Sequence, residues 1–346
     1  MIQWQPARQS VTRSLLLLVL LQCQLAIAAS GDYEPVIEAA RKEGRLMLYA
    51  GMDIDEARLL TSEFAKKYPF IQAEIFRASG EKIQQRFLVE HRAGVHSADV
   101  FQASIVQVYQ LKNLQLLEHY VPSETAAYRD GFKDPQGRWT ALYQIPYVIG
   151  YSTRLVPAND IPTSYEDLLT DRWKGWIALE TEEYQWFYHW MQILGRNKGL
   201  DFMRKFAGQN LQMRSGHTLL AQLVAAGEVA LATVVYSNRV ERMKAVGAPI
   251  DWVRFKGPTV TAINAIAIPV KALHPNAAKL FINFVLSKEG QTLLRGLRRV
   301  PARSDVLPDP PALTQGLNLY PARPEGMLES YNDTVRLFDE IFNKTR

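Results

Sequence analysis

The chain has 346 residues, a formal charge of +5, 47% hydrophobic and 22% charged side chains, and a single cysteine. That length accommodates two ordinary domains, each with its own core, and the balance is that of a globular protein. So mild a charge, with no long basic run and no nucleic-acid motif, argues against a DNA or RNA partner.

Arg8 and Arg13 precede the apolar run Leu15–Leu21, and Ala26-Ile27-Ala28 follows as a small-residue cleavage site. That order reads as a signal peptide over residues 1–28, cleaved near Ala28. The run is shorter than the ~20 residues of a membrane span, so the processed chain is expected to be exported and free of the membrane. Cys23 lies inside the leader. A lipidated Cys23 is the alternative, although Gln22 suits such a site poorly. After cleavage near Ala28 no thiol remains, which excludes thiol catalysis and zinc–thiolate sites.

Tyr33–Lys42 reads as a helix stopped by Gly44. Arg45–Ala50 is a strand ending on Gly51-Met52-Asp53, and a helix carrying Leu59, Leu60 and Phe64 follows. Ile71–Phe76 is the next strand, and Ala78-Ser79-Gly80 opens a helix with Ile83, Phe87 and Leu88. Ala98–Phe101 is a short buried strand, after which Ser104 caps a helix. Strand and helix alternate as in βαβ units, so the sheet is expected to be largely parallel, with the strand-end loops on one rim.

Trp139–Ser152 runs extended, split by Pro146, and reads as the first crossing between two lobes. Ser164 and Asp167 approach a capping box. Ile177–Leu179 is a strand, Glu180–Tyr184 its loop, and Gln185–Leu194 and Gly199–Ala207 are helices. Ser215-Gly216-His217-Thr218 opens a helix ending at Gly227, where the strand GEVALATVVYSNR begins. A helix over Arg239–Val246 follows, and Thr259–Ile268 is a strand returning to the first lobe. Asn276–Leu286 and Lys288–Leu297 are helices, residues 308–324 read as irregular, and Met327–Phe342 as an amphipathic helix. The expected organisation is α/β: residues 29–145 plus 258–310 form lobe 1, residues 146–257 lobe 2, and residues 311–346 a C-terminal tail.

ADVF at Ala98–Phe101, SYEDLLTDRWKGWIALE at Ser164–Glu180 and FVLSKEGQTLL at Phe284–Leu294 resemble the periplasmic solute-binding proteins of ABC importers, most closely the ferric-iron group. The resemblance implies a two-lobed type II periplasmic-binding-protein fold, each lobe a mostly parallel sheet flanked by helices and joined by crossover strands. It also implies a periplasmic monomer that closes on a ligand and delivers it to an inner-membrane permease driven by an ATPase. Ferric members use a His after the first strand, a Glu after the ADVF strand and adjacent tyrosines after the strand following GE. Here those places hold Met52-Asp53, Gln102-Ala103-Ser104, and Tyr236 followed by Ser237 and Asn238. Most of the anionic ligands of hard Fe(III) are thus replaced, and neither metal nor cofactor is expected.

Tyr236, Ser237, Asn238 and Arg239 sit where a strand meets a helix, so their polar ends are candidates for the cleft; an ordinary helix cap uses the same residue types. Arg239 could pair an anion bidentately. Ser79-Gly80 and Ser215 to His217 open helices, whose free N–H groups favour anions, as simple caps also would. Glu182 with Glu183, and Tyr184 beside Trp186, offer carboxylates and an aromatic wall, or merely acids suited to a first helical turn. Tyr147 at the crossing and Asp53 after the first strand complete the candidates. Phe187, Trp190, Met191 and Leu194 are spaced as a core face. His91, His96, His119, His189 and His274 show no metal spacing.

A small organic anion (carboxylate, phosphonate or phosphate ester) is the expected cargo, ahead of ferric iron and of a polyol or cationic amine. An exported enzyme would need a nucleophile motif, HExxH or a P-loop, none of which occurs; a ligand sensor would use the same closure.

Overall fold

The computed structural model describes residues 34–254 and 257–343, so the expected leader and Cys23 lie outside the described residues. The described residues open with helix α1 (Glu34–Glu43), strand β1 (Arg45–Ala50), α2 (Ile54–Lys67), β2 (Gln72–Arg77), α3 (Gly80–Arg92), β3 (Val100–Ser104) and α4 (Ile105–Asn113). β1 pairs in parallel with both β2 and β3. Apolar residues recur at helical spacing on α2, so Leu60 and Phe64 are buried, Phe64 with its ring against Phe281 and Phe284.

β4 (Thr140–Ser152) is buried along its whole length. The sequence led us to expect Pro146 to split it, and the strand instead runs unbroken. Residues up to Pro146 pair with β9 (Pro258–Ala267), and from Tyr147 onward with β7 (Leu231–Tyr236). A residue without an N–H is tolerated where one partner strand gives way to another. The change of partner falls between Pro146 and Tyr147.

Between β4 and β9 come β5 (Ile177–Glu180), α5 (Tyr184–Leu194), α6 (Arg196–Ala207), β6 (Gln212–Arg214), α7 (His217–Ala226), β7, α8 (Ser237–Ala245) and β8 (Ile250–Trp252). Three-residue β6 is an edge strand parallel to β5 and was not expected, because Gln-Met-Arg carries no strand pattern. The path along the sheet is β2-β1-β3-β9-β4-β7-β5-β6, so antiparallel β9 and β4 stand between two parallel sets. After β9 come α9 (Pro275–Leu286), α10 (Lys288–Gly296) and β10 (Val300–Pro301), which pairs with β4.

The tail departs from expectation in two ways. Residues 308–324 were expected to be irregular, yet Asn318–Pro321 form β11, parallel to β9. The final helix is α11 (Tyr331–Phe338) closed by a π-turn over Asp339–Asn343, rather than one helix from Met327. β11 thus lies on the shared strand while α11 packs on α5. Phe338 is fully buried, with its ring edge-on to Phe187 at 5.6 Å and Tyr184 at 5.2 Å. Replacing Phe338 with leucine should lower unfolding free energy by about 1–2 kcal/mol, read as a shift in denaturant midpoint. An unchanged midpoint would show that the tail contributes nothing to the fold.

Candidate functional site

In open α/β sheets ligands sit outside the carboxyl ends of the strands. Here those ends enclose a cavity of about 360 Å³. The loop after β1 supplies Gly51, Met52 and Asp53, and the first turn of α3 supplies Gly80 and Glu81. Ser104 and Gln107 come from the start of α4, and Tyr143, Ile145 and Asn264 from the shared strands. The facing lobe contributes Thr218, Tyr236, Asn238, Arg239 and Arg242, and Arg299 enters from just before β10.

Local sequence explains several of these placements. Gln102, buried in the middle of β3, accepts from the N–H of Gly51 at 3.1 Å and of Met52 at 3.0 Å, fixing the loop that carries Asp53. Its own Nε2 donates to Asn264 at 3.2 Å. A Cβ on Gly80 would lie 3.2 Å from Gln107 Oε1, so glycine lets the start of α3 close onto α4. Gln107 in turn donates to Glu81 at 3.3 Å, which leaves its buried Oε1 without a partner.

Three guanidinium groups converge on the cavity. Arg299 is 7% exposed and grips Glu56 through Nε at 3.0 Å and Nη2 at 2.9 Å, with Asp53 at 3.7 Å. It also lies 4.7 Å from the ring centre of Tyr143. Although burial works against its charge, Tyr143 and Glu56 hold its pKa above the usual value. Arg239 and Arg242, one helical turn apart on α8, make no ion pair among the described residues. The Arg242 Nε is buried without a hydrogen-bond partner. Burial, then Arg239 and Arg299, push the Arg242 pKa down, and Glu56 and Asp53 only partly oppose them. The field at Arg242 is therefore net positive even with the neighbouring carboxylates counted.

The sequence candidates divide. Tyr236, Asn238, Arg239, Gly80 and Asp53 line the cavity. Tyr147 and His217 stand behind Tyr236, their rings stacked on it at 5.8 and 4.1 Å. Ser237 is wholly buried, and Ser79 caps α3 by accepting from Lys82 N–H at 3.4 Å. Ser215, Glu182 and Tyr184 line a different hollow with Arg336 and Asp339, because α11 packs across their loop and turns Tyr184 toward Tyr331 and Phe338. Glu180 and Glu183 are the buried acids of that loop. Trp186, expected as an aromatic wall, is a core side chain at 1% exposure.

Arg242 and Arg299 were missed. Arg242 lies three residues after Arg239 and shares its helix face, a spacing that could have found it. Arg299 is 243 residues from Glu56, and nothing local announces it. A larger hollow of about 720 Å³, walled by Tyr120, Trp139, Tyr188 and Tyr320, shares no lining residue with this cavity.

A family model described as "Bacterial extracellular solute-binding protein" matches residues 97–318. The chain belongs to that family. This solute-binding protein is similar in structure to iron-bound HitA from Pseudomonas aeruginosa, with a TM-score of 0.74 at 19% identity, covering 86% of this chain and 99% of that one. It is similar also to the periplasmic binding protein AfuA from Actinobacillus pleuropneumoniae with fructose-6-phosphate bound. There the TM-score is 0.72 at 21% identity, over 87% of this chain and 99% of that one. These likenesses establish the type II periplasmic-binding-protein fold. A curated protein of Haemophilus influenzae, described as uncharacterized, is 24% identical over 268 residues, 74% of this chain and 76% of that protein. No helix among the described residues is long and apolar enough to cross a membrane.

Proposed function

We propose that this solute-binding protein is the periplasmic capture component of an ABC-type importer and that its cargo is a small organic anion: a carboxylate, phosphonate or phosphate ester. One observation carries the cargo assignment. Arg242 presents a buried, unpartnered guanidinium nitrogen beside two further arginines, in a field that already disfavours its charge. A bound anion supplies both the missing hydrogen-bond acceptor and the missing charge. The cavity, about 360 Å³, suits a small molecule. Supporting this reading, AfuA holds a phosphate ester. Closure of the two lobes about β4 and β9 would then be driven by the closed state's greater affinity for cargo. The leader over residues 1–28 would direct export, an inner-membrane permease would receive the cargo, and the protein would act as a monomer without turnover.

Ferric iron is the second reading, favoured by iron-bound HitA and by the presence of Tyr236 and Asp53 in the same cavity. Three arginines oppose a bare trivalent cation, so this reading requires an accompanying anion.

Thermal melts of refolded, ligand-stripped protein against phosphate esters, phosphonates, dicarboxylates, polyols, polyamines and ferric citrate test the assignment. A ligand at 100 times its Kd adds about 2.7 kcal/mol. A melting shift with metal-free organic anions is expected. A shift with ferric iron alone would overturn the anion assignment.

A further inference from the structure

The wall behind Tyr236 contains an irregularity that the anion site does not use directly. Val234, within β7, has φ of 62°, a left-handed conformation rare for a β-branched residue. It marks a bulge: Val148 of β4 faces Val235 while Gly150 faces Ala232, so β7 carries one extra residue over this interval. One inserted residue reverses the face taken by the side chains beyond it, and the first cavity-lining side chain beyond it is Tyr236.

Two side chains hold the bulge. The Val234 carbonyl accepts from His217 Nδ1 at 2.8 Å, which assigns the proton to Nδ1 and leaves Nε2 with a lone pair. Nε2 lies 3.3 Å from Glu183 Oε2. Glu183 is 5% exposed and has no cationic partner among the described residues. The ionisable groups facing it are Glu180 on its own loop, Tyr147 on β4, His217 on α7 and Tyr236 on β7. Burial and then Glu180 push its carboxyl well above the usual range, while burial lowers His217. Glu183 therefore holds its proton; it is hydrogen-bonded to Tyr147 and lies against the His217 imidazole, and His217 donates to Val234.

We propose that Glu183 and His217 are positioning residues for cargo capture: Glu183 packs against the imidazole whose Nδ1 holds the Val234 carbonyl, and together they clamp the Val234 bulge that presents Tyr236 to the cavity. This rests on the anion reading above. Neither residue lines the cavity, and both act through Tyr236, whose ring His217 supports from behind.

Calorimetric titration with sulfate, whose charge is constant from about pH 5 to about pH 9, tests the clamp in wild type, Glu183→Gln, Glu183→Ala and His217→Ala. Wild-type affinity should fall as pH rises and Glu183 ionises. Glu183→Gln, uncharged and nearly the same shape, should stay within about twofold at low pH and lose the pH dependence. The two alanine variants should weaken about tenfold throughout, about 1.4 kcal/mol. Glu183→Gln as weak as Glu183→Ala, or a pH profile identical to wild type, would overturn the proposal.

A cargo-free readout separates failure of the clamp from failure of the anion reading. Glu183 keeps its proton when folded and loses it more readily when unfolded, so the unfolded state binds fewer protons as pH rises. Wild-type stability should therefore fall with pH from about 4.5 up to the folded-state value and level off above it. Glu183→Gln should remove that slope. A lost slope with no sulfate binding in any variant would retire the anion reading and leave the clamp standing; a retained slope would overturn the clamp.

Discussion

Replacing Arg242 with methionine should weaken anion binding about 100-fold while leaving the ligand-free protein at least as stable as wild type. Methionine keeps the apolar stem that packs along α8 and removes only the charged end. In the ligand-free protein that end is a liability, since its Nε is buried without a partner and Arg239 and Arg299 repel it. Truncating one side of a desolvated charge pair typically costs 2–5 kcal/mol of binding, and about 2.7 kcal/mol corresponds to the stated factor. Relief of the repulsion should hold the melting temperature level or raise it by about 2 °C, the usual trade between a poised site and stability. Titration calorimetry and thermal melts on the same preparations decide the matter. Unchanged affinity accompanied by a fall of several degrees would make Arg242 a structural residue and remove the observation on which the cargo assignment stands.

Glu56→Gln should do the reverse. Glu56 is 3% exposed and neutralises Arg299 through three hydrogen bonds. Removing its charge leaves Arg299 buried with Asp53 at 3.7 Å as the remaining carboxylate. Breaking a buried pair in this way costs about 3 kcal/mol or more, a fall in melting temperature on the order of 10 °C. Anion affinity should be retained or should rise, because the cavity gains net positive charge. A variant that melts like wild type would mean that solvent screens this pair. A variant that also fails to bind anions would mean that Glu56 positions Arg299 rather than merely neutralising it. Arg242 lines the cavity whereas Glu56 is buried against Arg299 without lining it, so their opposed signatures separate charge that holds the fold from charge that receives the cargo.

The site was half legible before the fold. Tyr236, Asn238 and Arg239 could be read because a strand running into a helix places its junction at the sheet rim whatever the rest of the chain does. Gly80 and Asp53 followed from the same rule on the first lobe. Glu182 and Tyr184 obeyed that rule too, yet a tail more than 140 residues away covers their loop and turns them to another hollow. Ser79 and Ser215 show the limit of a helix-start signal: the residue type that caps a helix is the same whether or not a ligand is near.

What the sequence determined by itself is local or motif-borne: the alternation of strands and helices, the glycine stops, the crossing at residues 139–152, and the segments that mark a solute-binding protein. Those signals act over a dozen residues or fewer, through backbone dihedral preference and the period of apolar side chains. The tertiary structure alone decided that β9 lies between β3 and β4, that β11 joins it, and that Arg299 meets Glu56 across 243 residues. It decided also that β7 carries an extra residue at the bulge just before Tyr236. Strand order, buried charge pairing and register are settled by which distant segments exclude water from one another, and local propensity carries no record of those partners.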